Sequence, residues 1–321
     1  MEISFVRYIN KKIIDQFSNY EDSVIYGQNI VAGSRISGLG AGLDEIKGVQ
    51  AINTTNAENS LMGFGLGLAI SGVPSLFLMK QHDFALLGID QLTNTTNVLR
   101  SGRLLAPFVV LMVVVDSGYE GPQASLSSLD EFSSLTRVPV NFLSTKETID
   151  LAFKNAELPG LHLMALSQKN LKKQIYNSLV VTKEFEEAIL YKKNKSKIEA
   201  SCIAVIFFGV EISFIESVIR KINGDECPVD LWVISKLSKQ NERSHLVSEF
   251  LKYNKIVIID TGKSEIHYSS ELAWLLREKG GKIHKFQRES SAIWAEVSAE
   301  ELEFSADEVV EFIEKYNKDS N

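Results

Sequence analysis

Glu58 stands where a polar turn, NTTNA, runs into an apolar, glycine-containing segment, NSLMGFGLGLAIS. An acid in that place has two readings. The dipole of a helix favours a carboxylate at its N-terminus. Open α/β sheets also build ligand sites beyond the carboxyl ends of their strands, where an enclosed acid can hold or share a proton. Phe84 follows 26 positions later, either as a ring able to stack on a flat ligand or as an ordinary core phenylalanine. His82, two residues before it, is either a source of an imidazole or a solvated loop residue. His162, His245, His267 and His284 show no metal-ligand spacing, and Cys202 and Cys227 are too few for a four-cysteine zinc site or an iron–sulfur cluster. No metal ligands are expected on this chain. Two glycine clusters, GLGAG at 38–42 and GFGLG at 63–67, break off before a third spaced glycine, at Leu43 and Leu68. Neither is followed by the Gly-Lys-Ser/Thr of a phosphate loop, which argues against a nicotinamide or nucleotide cradle.

The elements that must hold these residues are legible as short β-branched runs separated by helical spacing. Phe5, Ile9, Ile13 and Phe17 predict an amphipathic helix within residues 1–20. SVIY (23–26), VQAI (49–52), SLFLM (75–79), PFVVLMVVV (107–115), VNFL (140–143) and LHLMAL (161–166) read as strands, with helices expected over 58–71, 84–99 and 146–157. Strands without clean polar alternation, interleaved with helices, imply a parallel sheet covered on both faces. Residues 167–198, lysine-rich at both ends, read as a surface connection. A second strand–helix series follows: CIAVIFFG (202–209), VDLWVI (229–234) and KIVIID (255–260), with helices to about Ile222, near 242–252 and 269–279, and a last one near 306–316. The expected fold is α/β with two doubly wound domains, 1–166 and 199–321, joined by a linker at 167–198.

Composition narrows the function classes. The 321 residues are 45% hydrophobic and 23% charged, as in globular chains, and their net charge of -7 gives no basic surface for nucleic acid. The longest apolar stretch, Leu104–Val115, has 12 residues, short of the roughly 20 a membrane span requires. The start, MEISFVRYINKK, lacks an apolar core followed by a small-residue cleavage site, so a cytoplasmic location is expected. Glycines at 63, 65 and 67 each cost a helix about 1 kcal/mol relative to alanine, which calls for the close approach of another backbone.

The stretch NTTNAENSLMGFGLGLAISGVPSLFLMKQHDFALLGIDQLTNTTNVLR resembles the pyrimidine-binding domain of thiamine diphosphate enzymes, namely transketolases and the beta subunits of 2-oxo acid dehydrogenase decarboxylase components. Glu58, Gly63, Gly67, Gly72, Phe84, Asp90, Gln91 and Asn94 fall in that pattern's order, ending in its DQ-x-x-N. YGQNI (26–30) occupies the place of the family's first-strand segment, and the second domain is similar to the transketolase C-terminal domain. The resemblance spans nearly the whole chain but is specific only over residues 49–100. It implies that Glu58 hydrogen-bonds the cofactor's aminopyrimidine and helps form the reactive ylid, that Phe84 stacks on the pyrimidine, and that Asn56 adds a polar contact. The cofactors it implies are thiamine diphosphate and Mg²⁺.

Two departures shape the expectation. The Mg²⁺–diphosphate motif is missing: Gly224-Asp225 is followed by Glu226 and reads as a surface turn. A separate partner subunit is therefore expected to hold the diphosphate and Mg²⁺, with this chain as a homodimer inside a heterotetramer. Glu58 and the helix from Asn59 to Ser71, Gly65 included, are expected near the subunit contact. Second, GYEGPQASLSS places Ala124 where related enzymes carry a histidine, leaving His82 as a replacement imidazole. The leading expectation is a subunit of a transketolase-like transferase acting on a small keto or sugar substrate. The alternatives are the beta subunit of a 2-oxo acid decarboxylating dehydrogenase and a noncatalytic regulatory subunit.

Overall fold

A computed structural model describes residues 3–99, 103–116, 128–175, 180–192, 203–222, 229–238, 244–264, 266–287 and 304–318. Ala124, Gly224–Asp225 and both cysteines lie outside them. In the first half, β1 (Ile3–Ser4) leads into α1 (Phe5–Phe17), whose first turn is capped by the Ser4 hydroxyl accepting from the Arg7 amide at 3.3 Å. There follow β2 (Ser23–Gly27), β3 (Val49–Asn53), α2 (Glu58–Ile70), β4 (Ser75–Met79), α3 (Thr96–Leu99), β5 (Pro107–Val114), α4 (Leu129–Thr136), β6 (Val140–Leu143), α5 (Lys146–Asn155), β7 (Gly160–Ser167) and β8 (Gln174–Ile175). The sheet order is β6-β7-β5-β4-β2-β3, all parallel.

Alternate residues of the central strands β2, β4 and β5 enter different cores, which is why these strands lack polar alternation. Val24, Tyr26, Phe108, Val110 and Met112 meet α2 and α4 through Met62, Leu66 and Phe132. Ile25, Val109 and Leu111 meet α1 and α5 through Ile9, Ile13, Ile149 and Phe153.

The second half contains β9 (Val180–Glu184), β10 (Ala188–Lys192), β11 (Ile203–Phe208), α6 (Ile212–Lys221), β12 (Val229–Ile234), β13 (Lys236–Leu237), α7 (Ser244–Phe250), β14 (Lys255–Asp260), α8 (Tyr268–Glu278), β15 (Ile283–Gln287) and α9 (Ala306–Lys318). Its sheet runs β15-β14-β11-β12-β10-β9. β11, β12, β14 and β15 are parallel, whereas the β9–β10 hairpin joins antiparallel to β12. Residues 180–192, within the stretch read as a surface connection, thus complete the second sheet. The two halves are stitched together. β13 pairs with β6 in the first sheet, Ser133 Oγ donates to Leu237 O at 2.9 Å, and Ser144 Oγ donates to Val210 O at 2.7 Å. No helix among the described residues is long and apolar enough to cross a membrane.

The regular helix expected over 84–99 does not form. His82–Gly88 is a 3₁₀ segment, Gln91–Thr95 a π turn, and only Thr96–Leu99 is α-helical. Gly88 explains why: a Cβ there would meet Met62 Cγ at 2.5 Å and Glu58 O at 3.2 Å. Close contact with the first turn of α2 takes precedence over local helix propensity.

Candidate functional site

Gln28, Glu58 and the His82–Phe84 pair follow β2, β3 and β4 respectively. Because these strands are parallel neighbours, all four residues lie beyond one edge of the sheet. β2 connects to β3 on one side, while β4 and β5 continue on the other, so the edge contains a topological switch point, where open α/β sheets leave a crevice. Asn53 at the end of β3 fixes the loop after β2, its Oδ1 accepting from the Ile30 and Val31 amides at 2.8 and 3.1 Å.

Glu58 opens α2, which has no side-chain cap at Ala57. Its side chain is only 6% exposed, and Gln28 Nε2, at 3.5 Å, is its one hydrogen-bond partner among the described residues. A carboxylate present only to complement the helix dipole gains about 0.3–1 kcal/mol and does so while solvated. Enclosing it costs more than that unless a further donor completes its shell. A flat heterocycle bearing N–H and ring nitrogen atoms would supply such a donor, so Glu58 fits the aminopyrimidine end of the implied cofactor.

Phe84 is half-buried against the first core, and Asn56 is exposed in the turn before α2. His82 is not a solvated loop residue. It is wholly buried, with its ring edge-on to Phe132 of α4 at 5.0 Å between centroids. The Ser128 main chain approaches the ring, yet neither nitrogen completes a hydrogen bond among the described residues. Burial pulls its pKa down to about 4, so the imidazole is neutral across the physiological range. The DQ-x-x-N residues hold their own turn: Asn94 Nδ2 donates to Asp90 Oδ1 at 2.7 Å, and Thr95 Oγ1 to Gln91 Oε1 at 2.9 Å. Gln28 was the residue missed in the sequence. Its signals were its place directly after a strand and within YGQNI (26–30), but its partner lies 30 positions away.

Gly65 does not serve a subunit contact. The place of its Cβ is taken by the Phe108 ring and the Tyr26 hydroxyl of the same chain, so it lets α2 lie down on its own sheet. Gly67, two residues on, is exposed with nothing within 4 Å of a Cβ position. Away from this edge, Asp130, Asp260 and His267 form the one cluster of three or more close carboxylate, imidazole or thiol groups among the described residues. Both carboxylates are near enough to Lys285 to oppose the lowering of its pKa by burial.

Compared as a sequence, the chain matches no protein-family profile and no curated protein. Compared as a structure, it is similar to a solved structure described as "Split gene transketolase, inactive beta4 tetramer", with a TM-score of 0.64. Sequence identity is 14%, and 97% of each chain is covered. At that identity the likeness concerns the fold, which is transketolase-like along its full length.

Proposed function

We propose that this chain is the pyrimidine-binding and C-terminal subunit of a two-subunit, thiamine diphosphate-dependent transketolase-like enzyme for carbon–carbon bond transfer. The observation that carries this reading is the enclosed Glu58 carboxylate, with Gln28 as its one hydrogen-bond partner among the described residues, at the switch point of the first sheet. In this reading Glu58 hydrogen-bonds the aminopyrimidine and holds or shares a proton there. Phe84 stacks on the ring, Asn56 adds a polar contact at the rim, and Gln28 orients the Glu58 carboxylate. Thiamine diphosphate supplies carbanion chemistry at its thiazolium carbon. The first domain, 1–166, takes the pyrimidine role, and the second takes the C-terminal role with the 180–192 hairpin in its sheet.

A partner subunit would hold Mg²⁺ and the diphosphate. The likeness to a structure described as an inactive beta4 tetramer of a split-gene transketolase supports that division of labour. The isolated chain is expected to bind thiamine diphosphate weakly and turn over no substrate, and to become active on addition of a partner carrying the Mg²⁺–diphosphate motif. Titration calorimetry checks this: tight, Mg²⁺-dependent binding by the chain alone contradicts the division.

His82 is proposed as the imidazole that stands in for the histidine absent at Ala124. Being neutral, it would act as a hydrogen-bond donor or acceptor and not as a charged acid. In the complex, His82→Phe is expected to keep the melting temperature and to lower turnover by about 10²–10³-fold, the scale of one lost positioned hydrogen bond. Unchanged turnover would reduce His82 to a core ring packed on Phe132.

A further inference from the structure

Helix α4 touches both halves of the chain. Phe132 packs on His82 at the candidate site, while the first turn faces the second domain. There Asp130 Oδ2 accepts from the Tyr268 amide at 2.9 Å, and Glu131 Oε1 accepts from the Ile266 amide at 3.4 Å. Behind that segment, Asp260 ends β14. Its Oδ1 accepts from the Gly262 amide at 2.9 Å, and its Oδ2 takes the Ser269 hydroxyl and pairs with His267 Nδ1 at 3.1 Å. Acid and base atoms of Asp130, Asp260 and His267, all buried, lie within 4.8 Å of one another. Two enclosed carboxylates this close do not both ionise without positive charge between them.

We propose that this cluster is a proton-operated latch between the two domains: a proton shared among Asp130, His267 and Asp260 seats the Ile266–Tyr268 segment on α4, and losing it unseats that segment.

The groups facing Asp130 set the direction. Burial, then the charge of Asp260, raise Asp130 from 3.8 to about 7; the Tyr268 amide and His267 pull against them, and Glu131 adds to the rise. Burial would raise Asp260, but the bond and charge of His267, helped by Lys285 and Ser269, hold it below the usual carboxylate range. Burial would lower His267, and Lys285 also opposes its charge, yet Asp260 outweighs them, with Asp130 adding to the net rise. Burial lowers Lys285 to about 8, with Arg277 adding and both aspartates opposing. Tyr268 is raised by burial, with Asp130 and Glu271 adding to the rise.

The sign follows. An unlatched Asp130 ionises near 3.8 and a latched one near 7, so closing takes up a proton between those values and the latch weakens as pH rises through them. His267 contributes in the same sense: its share is full below its unfolded value and is lost as pH rises through the folded one. Asp260 runs the other way, and its share is lost in acid.

Hydrogen exchange of the full chain tests the latch, read at the Ile266 and Tyr268 amides as protection relative to their intrinsic rates. In the wild type, protection is expected to fall by up to about tenfold per pH unit between about pH 5 and pH 7, while Leu246 in α7 stays constant. Asp130→Asn keeps an acceptor for Tyr268 without the titration. It is expected to abolish the slope between about pH 5 and pH 6, below the range in which His267 titrates, and to exceed wild-type protection and melting temperature at about pH 8.5. A flat wild-type profile, or a slope between about pH 5 and pH 6 that persists in Asp130→Asn, overturns the proposal. The wild-type slope needs no variant, so a misfolded Asp130→Asn leaves the decision with it.

Discussion

Glu58→Gln, assayed in the reconstituted two-subunit complex, is expected to keep the fold and to lower turnover by about 10²–10⁴-fold. Glutamine matches glutamate in size and can still accept from Gln28, so the first turn of α2 and the Gly88 contact have no cause to move. What it loses is the ability to hold a proton at the carboxyl oxygen. If Glu58 only complemented the helix dipole, the same change would alter stability by about 1 kcal/mol or less and leave chemistry alone. The two outcomes separate cleanly when turnover and thermal melting are measured on one preparation. Near-normal turnover with an unchanged melt would remove Glu58 from the chemistry and leave it as a helix-end acid.

The second large effect concerns assembly. One side of α2 is spent inside the chain through Met62, Gly65, Leu66 and Ala69. The other side shows Phe64, 44% exposed, with Gly67 and Ile70. Leu105, 65% exposed, is drawn alongside by its amide donating to Ala69 O at 2.9 Å. A helix apolar on every side belongs in an interior, and in the proposed assembly a second copy of the chain would cover the exposed half. Burying one phenylalanine contributes about 1.5–3 kcal/mol, and a two-fold contact counts it twice. Phe64→Glu is therefore expected to weaken self-association by about 10²–10⁴-fold with little change in the fold of the chain. Sedimentation velocity over a concentration series reads this directly. A wild-type chain that stays monomeric, and is active as a monomer with its partner, would contradict both this face and the proposed site.

Much of this protein is decided within short windows of its sequence. Runs such as SLFLM and KIVIID are strands because β-branched and aliphatic side chains suit a sheet buried on both faces, and helical spacing between them leaves a doubly wound arrangement as the way to cover it. Glu58 stood out as a candidate for a similar reason: an acid between a polar turn and a glycine-containing apolar helix conflicts with its surroundings, as residues of functional sites often do. Tertiary contact decided the rest. Gly88 has to approach Glu58 O and Met62, and residues 82–99 gave up a regular helix to allow it. Residues 180–192 carry strand-like runs, VV and AILY, but the lysine-rich stretches around them hid that; the edge that β12 offers to β10 drew the hairpin into the second sheet. Gly65 and Gly67 read alike along the chain, yet the rotation of α2 against Tyr26 and Phe108 sends one into the core and the other to the surface. Asp130 and His267 are separated by 137 positions, and only docking of the two domains brings their charges within reach. Local pattern acts over a few residues through backbone preference and burial; charge pairing and close packing act through space, and the folded chain alone sets those distances.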